Sequence, residues 1–391
     1  IWDAFTDPIM GYIADNTSTR WGKFRPYILF GSVPALIMII LCFTSPDLSQ
    51  TGKFYWALFT YITFTTLYTI IAIPVGSLIP AMTQDRDERT SLASFRYLGA
   101  SSGSIAVAVL TLPLVGLFSS PQFGFPIVVG CLAVLGAIFA FLCFFNTKEV
   151  YSKPYEETIG IKKVTKMVFN NYPLHFVILA LLTTWVANNI KQLTVVYFVK
   201  YNLQLEAYFS PILLGVILQI MFGAYLVNLI KHRFEKKTLF MIGTFLYVIT
   251  DLIIYYITGY ENFWLLAFIA TFGFIGFGMA GVMAWSMIAD TIEYGEWKSG
   301  FRAEGVLNAA HVFVFKLSVG FSAWLAGVIL ESTDYVANAI DQSPETLNGL
   351  FIMGYIFPAV AGTIAIIVTY FNKYDSNFYE RIFSELKQRQ S

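Results

Sequence analysis

The sequence predicts an all-α membrane protein of two six-helix halves, with the first helix and part of the second lying upstream of its first residue. Three observations predict this. Of 391 residues, 57% are hydrophobic, 17% aromatic and only 13% charged, a balance foreign to water-soluble chains. Runs of about 20 apolar residues, the length that crosses a hydrocarbon core of ~30 Å, recur from end to end. The basic residues gather on one set of alternate loops.

A partial span occupies the first 14 residues or so, and ten full spans follow at roughly 26–45, 54–82, 92–118, 123–145, 173–199, 207–230, 239–258, 262–289, 304–330 and 348–371. Assigning alternate loops to opposite sides places 21 of the 25 Lys and Arg residues on one side, which is therefore cytoplasmic. Lys53 and Lys200 fall on the other side, and Lys191 and Lys316 inside spans. Lys191 is close enough to the outer surface to snorkel. The partial span then runs inward. Its outer half and one preceding helix would restore twelve spans, and the chain begins at Ile1 with no signal-peptide pattern, so the natural N-terminus is expected upstream.

Twelve spans divide into two sixes: a helix bundle over 1–145, a cytoplasmic linker over 146–172, a second bundle over 173–372 and a cytoplasmic tail over 373–391. In the linker, Val164, Met167 and Val168 beside Lys162, Lys163 and Lys166 suit either an amphipathic interfacial helix or a solvated connection. An internal repeat supports the halves. SLIPAMTQDRDERTS from Ser77 aligns with SMIADTIEYGEWKS from Ser286, and Gly11, Arg20, Lys23 and Gly31 are echoed by Gly223, Arg233, Lys236 and Gly243. Repeated halves with a site at their interface are the architecture of secondary transporters.

Several classes are excluded early. A formal net charge of zero gives no case for nucleic acid, and three cysteines without CxxC spacing suggest neither a disulfide framework nor a metal knuckle. Gly99–Gly103 (GASSG) matches a nucleophile-elbow string and Gly273–Gly278 (GFIGFG) a dinucleotide loop, but both lie inside spans, where small residues serve close helix packing. The chain is not expected to be an enzyme, and it needs no cofactor beyond a transported Na⁺ or H⁺.

Asp3 and Asp7 carry the chemistry. Their i, i+4 spacing puts both carboxylates on one helix face, and if Asp15 marks the inner interface they lie about 18 Å and 12 Å into the membrane. Two such acids repel unless a cation, proton or basic group neutralises them, which reads as an ion site, with Na⁺ as one candidate. Pro8 leaves the Ala4 carbonyl without its helical donor, a further oxygen ligand beside Thr6. The alternative is that the acids only hydrogen-bond neighbouring helices. Lys316 is also near mid-membrane, and one monovalent cation would make two Asp and one Lys neutral; a fixed ion pair is the bland reading. Thr63, Thr66 and Thr69 form one polar stripe, and Thr184, Asn188 and Gln192 another able to bond hydroxyls, with helix packing an equal contender. His311 reads as an interior hydrogen-bonding histidine unless substrate reaches it.

DAFTDPIMGYIADNTSTRWGKFRPY, supported by IPVGSLIPAMTQDRDERTSLASFR, DTIEYGEWKSGFRAEG and HVFVFKLSVGF, resembles the glycoside-pentoside-hexuronide:cation symporters of the major facilitator superfamily over the whole chain. The resemblance implies the major facilitator fold, a cell-membrane location, and symport of Na⁺ or H⁺ with a sugar. It implies Asp3 and Asp7 as cation carboxylates with Thr69, and Thr6 where relatives place Asn. Arg96 and Lys316 would tie cation to sugar, Trp2, Tyr68 and His311 would neighbour the sugar, and the loop with Asp15, Arg20, Lys23 and Arg25 would be the inner gate. The melibiose carrier of this family has an Asp where this chain has Ala72 and an aromatic near Gly76, which argues against melibiose as substrate. A lysophospholipid-type transporter of the same fold, or a non-transporting membrane sensor, are the alternatives.

Overall fold

The computed structural model describes residues 2–150, 160–205, 208–336, 339, 341–372 and 376–390. Among them every regular element is helical: α1 (Trp2–Asp15), α2 (Arg25–Cys42), α3 (Gln50–Met82), α4 (Arg86–Val115), α5 (Pro121–Asn146), α6 (Ile161–Asn170), α7 (Tyr172–Tyr197), α8 (Phe209–Ile230), α9 (Lys236–Ile253), α10 (Phe263–Ser299), α11 (Glu304–Ser332), α12 (Pro344–Phe351), α13 (Phe357–Phe371) and α14 (Ser376–Gln390). Single π-helical turns extend α7 and α9 and join α12 to α13. Ten helices among the described residues are long and apolar enough to cross a membrane. With no lipid tail able to accept or donate a hydrogen bond, helices are how such runs satisfy their backbone. The chain is a multi-pass membrane protein.

Two compact units emerge from backbone packing: Ile1–Arg89, Ser102–Asn170 and Lys298–Phe313 form the first, and Thr90–Ser101, Asn171–Trp297 and Val314–Ser391 the second. In the first, Met10 and Ala14 of α1 pack with Ile28 of α2, Ile73 and Leu78 of α3, and Ala309 of α11. The Trp21–Tyr27 turn is built for its sequence. Gly22 has φ +107°, and a Cβ there would lie 2.5 Å from the Glu149 carboxyl group. That carboxyl accepts the N–H groups of Lys23, Phe24 and Arg25 at 2.8–3.0 Å, supplying acceptors to the start of α2 that its own side chains do not. Pro26 gives up no needed donor in this first turn.

The second unit contains α10, 37 residues and so about 55 Å long. The GFIGFG string is a packing surface: Cβ atoms at Gly273, Gly276 and Gly278 would fall 2.3 Å from Thr250 Oγ1, 2.4 Å from the Gly243 carbonyl and 2.0 Å from the Ile220 carbonyl. Gly99 and Gly103 of GASSG depart from the expectation of close packing, since a Cβ at either meets nothing within 4 Å. Of the linker, α6 is a helix with Val164 and Met167 buried, while residues 151–159 lie outside the described residues. At the end of the chain α14 lays Ile382 and Leu386 against Tyr294, and Trp297 Nε1 donates to Glu385 at 2.7 Å.

Candidate functional site

In the first unit α1 and α3 lie side by side, and their polar positions meet. Asp7 is fully buried and accepts a hydrogen bond from Thr69 Oγ1 at 2.9 Å. One turn away from Asp7 along α1, Trp2 Nε1 donates to Thr66 Oγ1 at 2.8 Å. Thr66 and Thr69 are three apart on α3, so one face of α3 serves both contacts. The Thr6 hydroxyl turns back to the Trp2 carbonyl at 3.5 Å. Tyr68 is more than half exposed, its ring against Phe64. Asp3 belongs to α1, four residues before Asp7, but its side chain lies outside the described residues. Burying Asp7 in an apolar unit is expensive, and a hydroxyl neighbour is useful there because it can donate to a bare carboxylate or turn a lone pair toward a bound cation.

At the other end of α1, Asp15 docks on the start of α11. Its Oδ1 accepts the Gly305 N–H at 2.7 Å and its Oδ2 the Val306 N–H at 2.9 Å. These are orphan donors of a helix N-terminus, where an anion is favoured. The helices can close because Gly11 faces Gly305: a Cβ at Gly11 would lie 2.6 Å from the Gly305 carbonyl oxygen. Burial, and next the negative charge of Glu304, push the Asp15 carboxyl up to about 7, against the pull of the two N–H groups and of Lys23. Glu304 pairs with Arg302, whose Nη2 reaches the Pro80 carbonyl at 3.1 Å. Lys23 is buried, Arg20 stacks over Trp21, and Arg25 binds the Phe144 carbonyl and ring. Sequence reasoning missed Glu149, which gathers the Gly22–Arg25 turn, and Glu304, because both act across more than a hundred residues.

Also in this unit, Asn308 Nδ2 donates to the Ile73 carbonyl at 3.0 Å and sits where a Cβ of Gly76 would be, 2.2 Å away. His311 is buried one turn further along α11.

The second unit holds the remaining predicted groups. Arg96 lays its guanidinium 4.1 Å from the centroid of the Trp285 ring. Thr184 and Asn188 are buried on α7 while Gln192, next in that stripe, is exposed. Lys316 is half-buried on α11. Lys191 departs from the snorkelling expectation: it is buried, bonded to Asp251 on α9 and enclosed by the rings of Tyr247, Phe274 and Tyr355. The signal that could have found this pair is an intramembrane acid in the same half as an intramembrane base.

A model of the family described as MFS/sugar transport protein matches residues 1–376. The chain belongs to this MFS/sugar transport family. Within it the chain is 32% identical to the isoprimeverose transporter of Lactiplantibacillus pentosus, over 100% of this chain and 82% of that protein. It is 30% identical to the putative glycoside/cation symporter YagG of Escherichia coli (strain K12), over 92% of this chain and 78% of that protein. The fold matches that of the MFS proton:xylose symporter XylE with a TM-score of 0.68 at 13% identity, covering 96% of this chain and 85% of that one. As a member of the MFS/sugar transport family the protein is a membrane transporter of the sugar symporter type, resident in the cell membrane, and not an enzyme.

Proposed function

We propose that the protein couples inward movement of Na⁺ or H⁺ to uptake of a glycoside, pentoside or hexuronide by alternating access. The buried Asp7 carboxylate with the Thr69 hydroxyl on it supports this reading most, because an intramembrane acid is retained where ions or protons pass. Asp7 and Asp3 are assigned as the cation carboxylates, with Thr69 as a further oxygen and Thr6 beside them. Two carboxylates and one monovalent cation sum to minus one, and Lys316 is assigned the balancing charge. Cation binding would release Lys316 and favour sugar, and by linkage the sugar tightens the cation by the same factor.

Trp2, Tyr68, Arg96, Asn188, His311 and Lys316 are assigned to the sugar. Arg96 holds its guanidinium over the Trp285 ring, and a planar guanidinium is a donor suited to sugar hydroxyls. Asp15, with Arg20, Lys23 and Arg25, is assigned the inner gate, on the strength of its bonds to the first turn of α11. Ala72 and Gly76 remove an acid and an aromatic that the melibiose carrier uses, so the expected substrate is a glycoside other than melibiose. The test is counterflow in proteoliposomes against β-xylosides, glucuronides and galactosides, with Na⁺ and pH varied separately. Cation-dependent exchange of one class supports the assignment; exchange of none overturns it.

A further inference from the structure

The second unit contains a cavity of about 670 Å³ that the proposed sugar and cation residues do not line. It runs between α7, α8 and α10, from Lys191, Gln219 and Phe274 at one end to Tyr208 and Trp264 at the other. The eleven residue steps from Phe263 to Phe274 measure about 16 Å along α10. Its walls are mostly apolar, and among the described residues Lys191 is the one charged residue lining it. Tyr208 and Trp264 are 61% and 80% exposed at the mouth, and Leu218, Phe222, Phe268 and Phe272 turn exposed apolar faces outward from the helices that flank it. By the distribution of basic loops this mouth belongs to the outer half of the membrane, where such faces meet lipid.

The inner end is polar in a specific way. Lys191 Nζ bonds one oxygen of Asp251, and the rest of its ammonium faces the rings of Tyr247, Tyr355 and Phe274 at 4.7, 5.0 and 5.3 Å. Asp251 is fully buried, and its Oδ2 has no hydrogen-bond partner among the described residues. The pair is neutral as a whole, so an ionic head group would leave a bare charge in an apolar cavity. A hydroxyl suits it better, since its oxygen can accept from the Lys191 ammonium that lines the cavity, while the charge of Lys191 stays balanced by Asp251 buried behind it. We propose that this cavity is a binding site for a membrane-dissolved apolar alcohol, with its hydroxyl at the Lys191–Asp251 pair and its alkyl or isoprenoid body running out toward Trp264.

A terminally brominated undecanol tests this, because its bromine would sit at the mouth beside Trp264 and quench that indole. With the full chain in nanodiscs, we expect a saturable quenching component on top of the linear part due to partitioning, absent in Trp264→Phe. The brominated alkane and brominated carboxylic acid of equal length should each bind at least tenfold more weakly. Gly215 lines the cavity with open space where its Cβ would be, so Gly215→Phe fills the site without a backbone clash and should abolish the saturable component. The double variant Lys191→Met/Asp251→Leu replaces the pair by apolar groups and should remove the preference for alcohol over alkane. Displacement by dodecanol or by farnesol identifies a linear or an isoprenoid ligand, and either supports the site. Purely linear quenching, an alkane or acid that binds as well as the alcohol, or saturable binding that survives Gly215→Phe overturns it.

Discussion

Thr69 gives its hydroxyl proton to Asp7 at 2.9 Å, joining α1 to α3 at a point where both side chains are buried. The bond fixes the carboxylate and keeps an oxygen next to it. Removing that donor takes a hydrogen bond from a buried carboxylate, a loss of roughly 1–3 kcal/mol. Thr69→Val should therefore raise the cation concentration that half-saturates uptake by about tenfold, while Thr69→Ser restores it. Cation titrations of uptake in vesicles check this.

Asp15 links the proposed inner gate to pH. Its carboxyl is raised to about 7 in the docked state, from 3.8 in water. A raised acid binds its proton more tightly when docked, so docking is favoured at low pH and weakens as pH climbs from about 4 through about 7, then levels off. Spin labels at Ser18, just after α1, and Ser299, at the end of α10 ahead of α11, should report a distance that lengthens between pH 5 and pH 8 (on the order of the window in which the group titrates). Asp15→Asn should flatten that dependence.

Gly76 and Asn308 occupy one space. A Cβ at position 76 would lie 2.2 Å from Asn308 Nδ2, and Asn308 is bonded to the Ile73 carbonyl. Gly76→Ala should lower stability by ~1–3 kcal/mol through overpacking. Gly76→Ala with Asn308→Ala should recover part of it, and thermal unfolding in detergent separates the two.

Lys191 and Asp251 should behave as a unit. Lys191→Met strands a buried carboxylate and should cost about 3–5 kcal/mol, whereas Lys191→Met/Asp251→Leu should be close to neutral, within ~1 kcal/mol. The melting temperatures of the two variants give the comparison directly.

Much of this was legible in the residues. Apolar runs showed the ten spans, because lipid forces that pattern locally. The helical spacing of Asp3 and Asp7 put them on one face, and Thr66 and Thr69 on another, without any structure. What escaped is non-local. Nothing near Glu149 in the chain shows that it caps α2, and nothing near Asp15 shows which helix supplies its two N–H donors. Lys191 looked near enough to the surface to snorkel because the sequence gives its depth but not Asp251, 60 residues away on α9. The glycines of GFIGFG read correctly as packing, while those of GASSG did not, since spacing of small residues alone does not say whether a neighbour is there.

The most direct test is accumulation of a transported glycoside in proteoliposomes under an imposed inward Na⁺ or H⁺ gradient, comparing the wild-type protein with Asp7→Asn. The account predicts that Asp7→Asn loses gradient-driven accumulation while the protein stays folded in the membrane. Full accumulation by Asp7→Asn would contradict it.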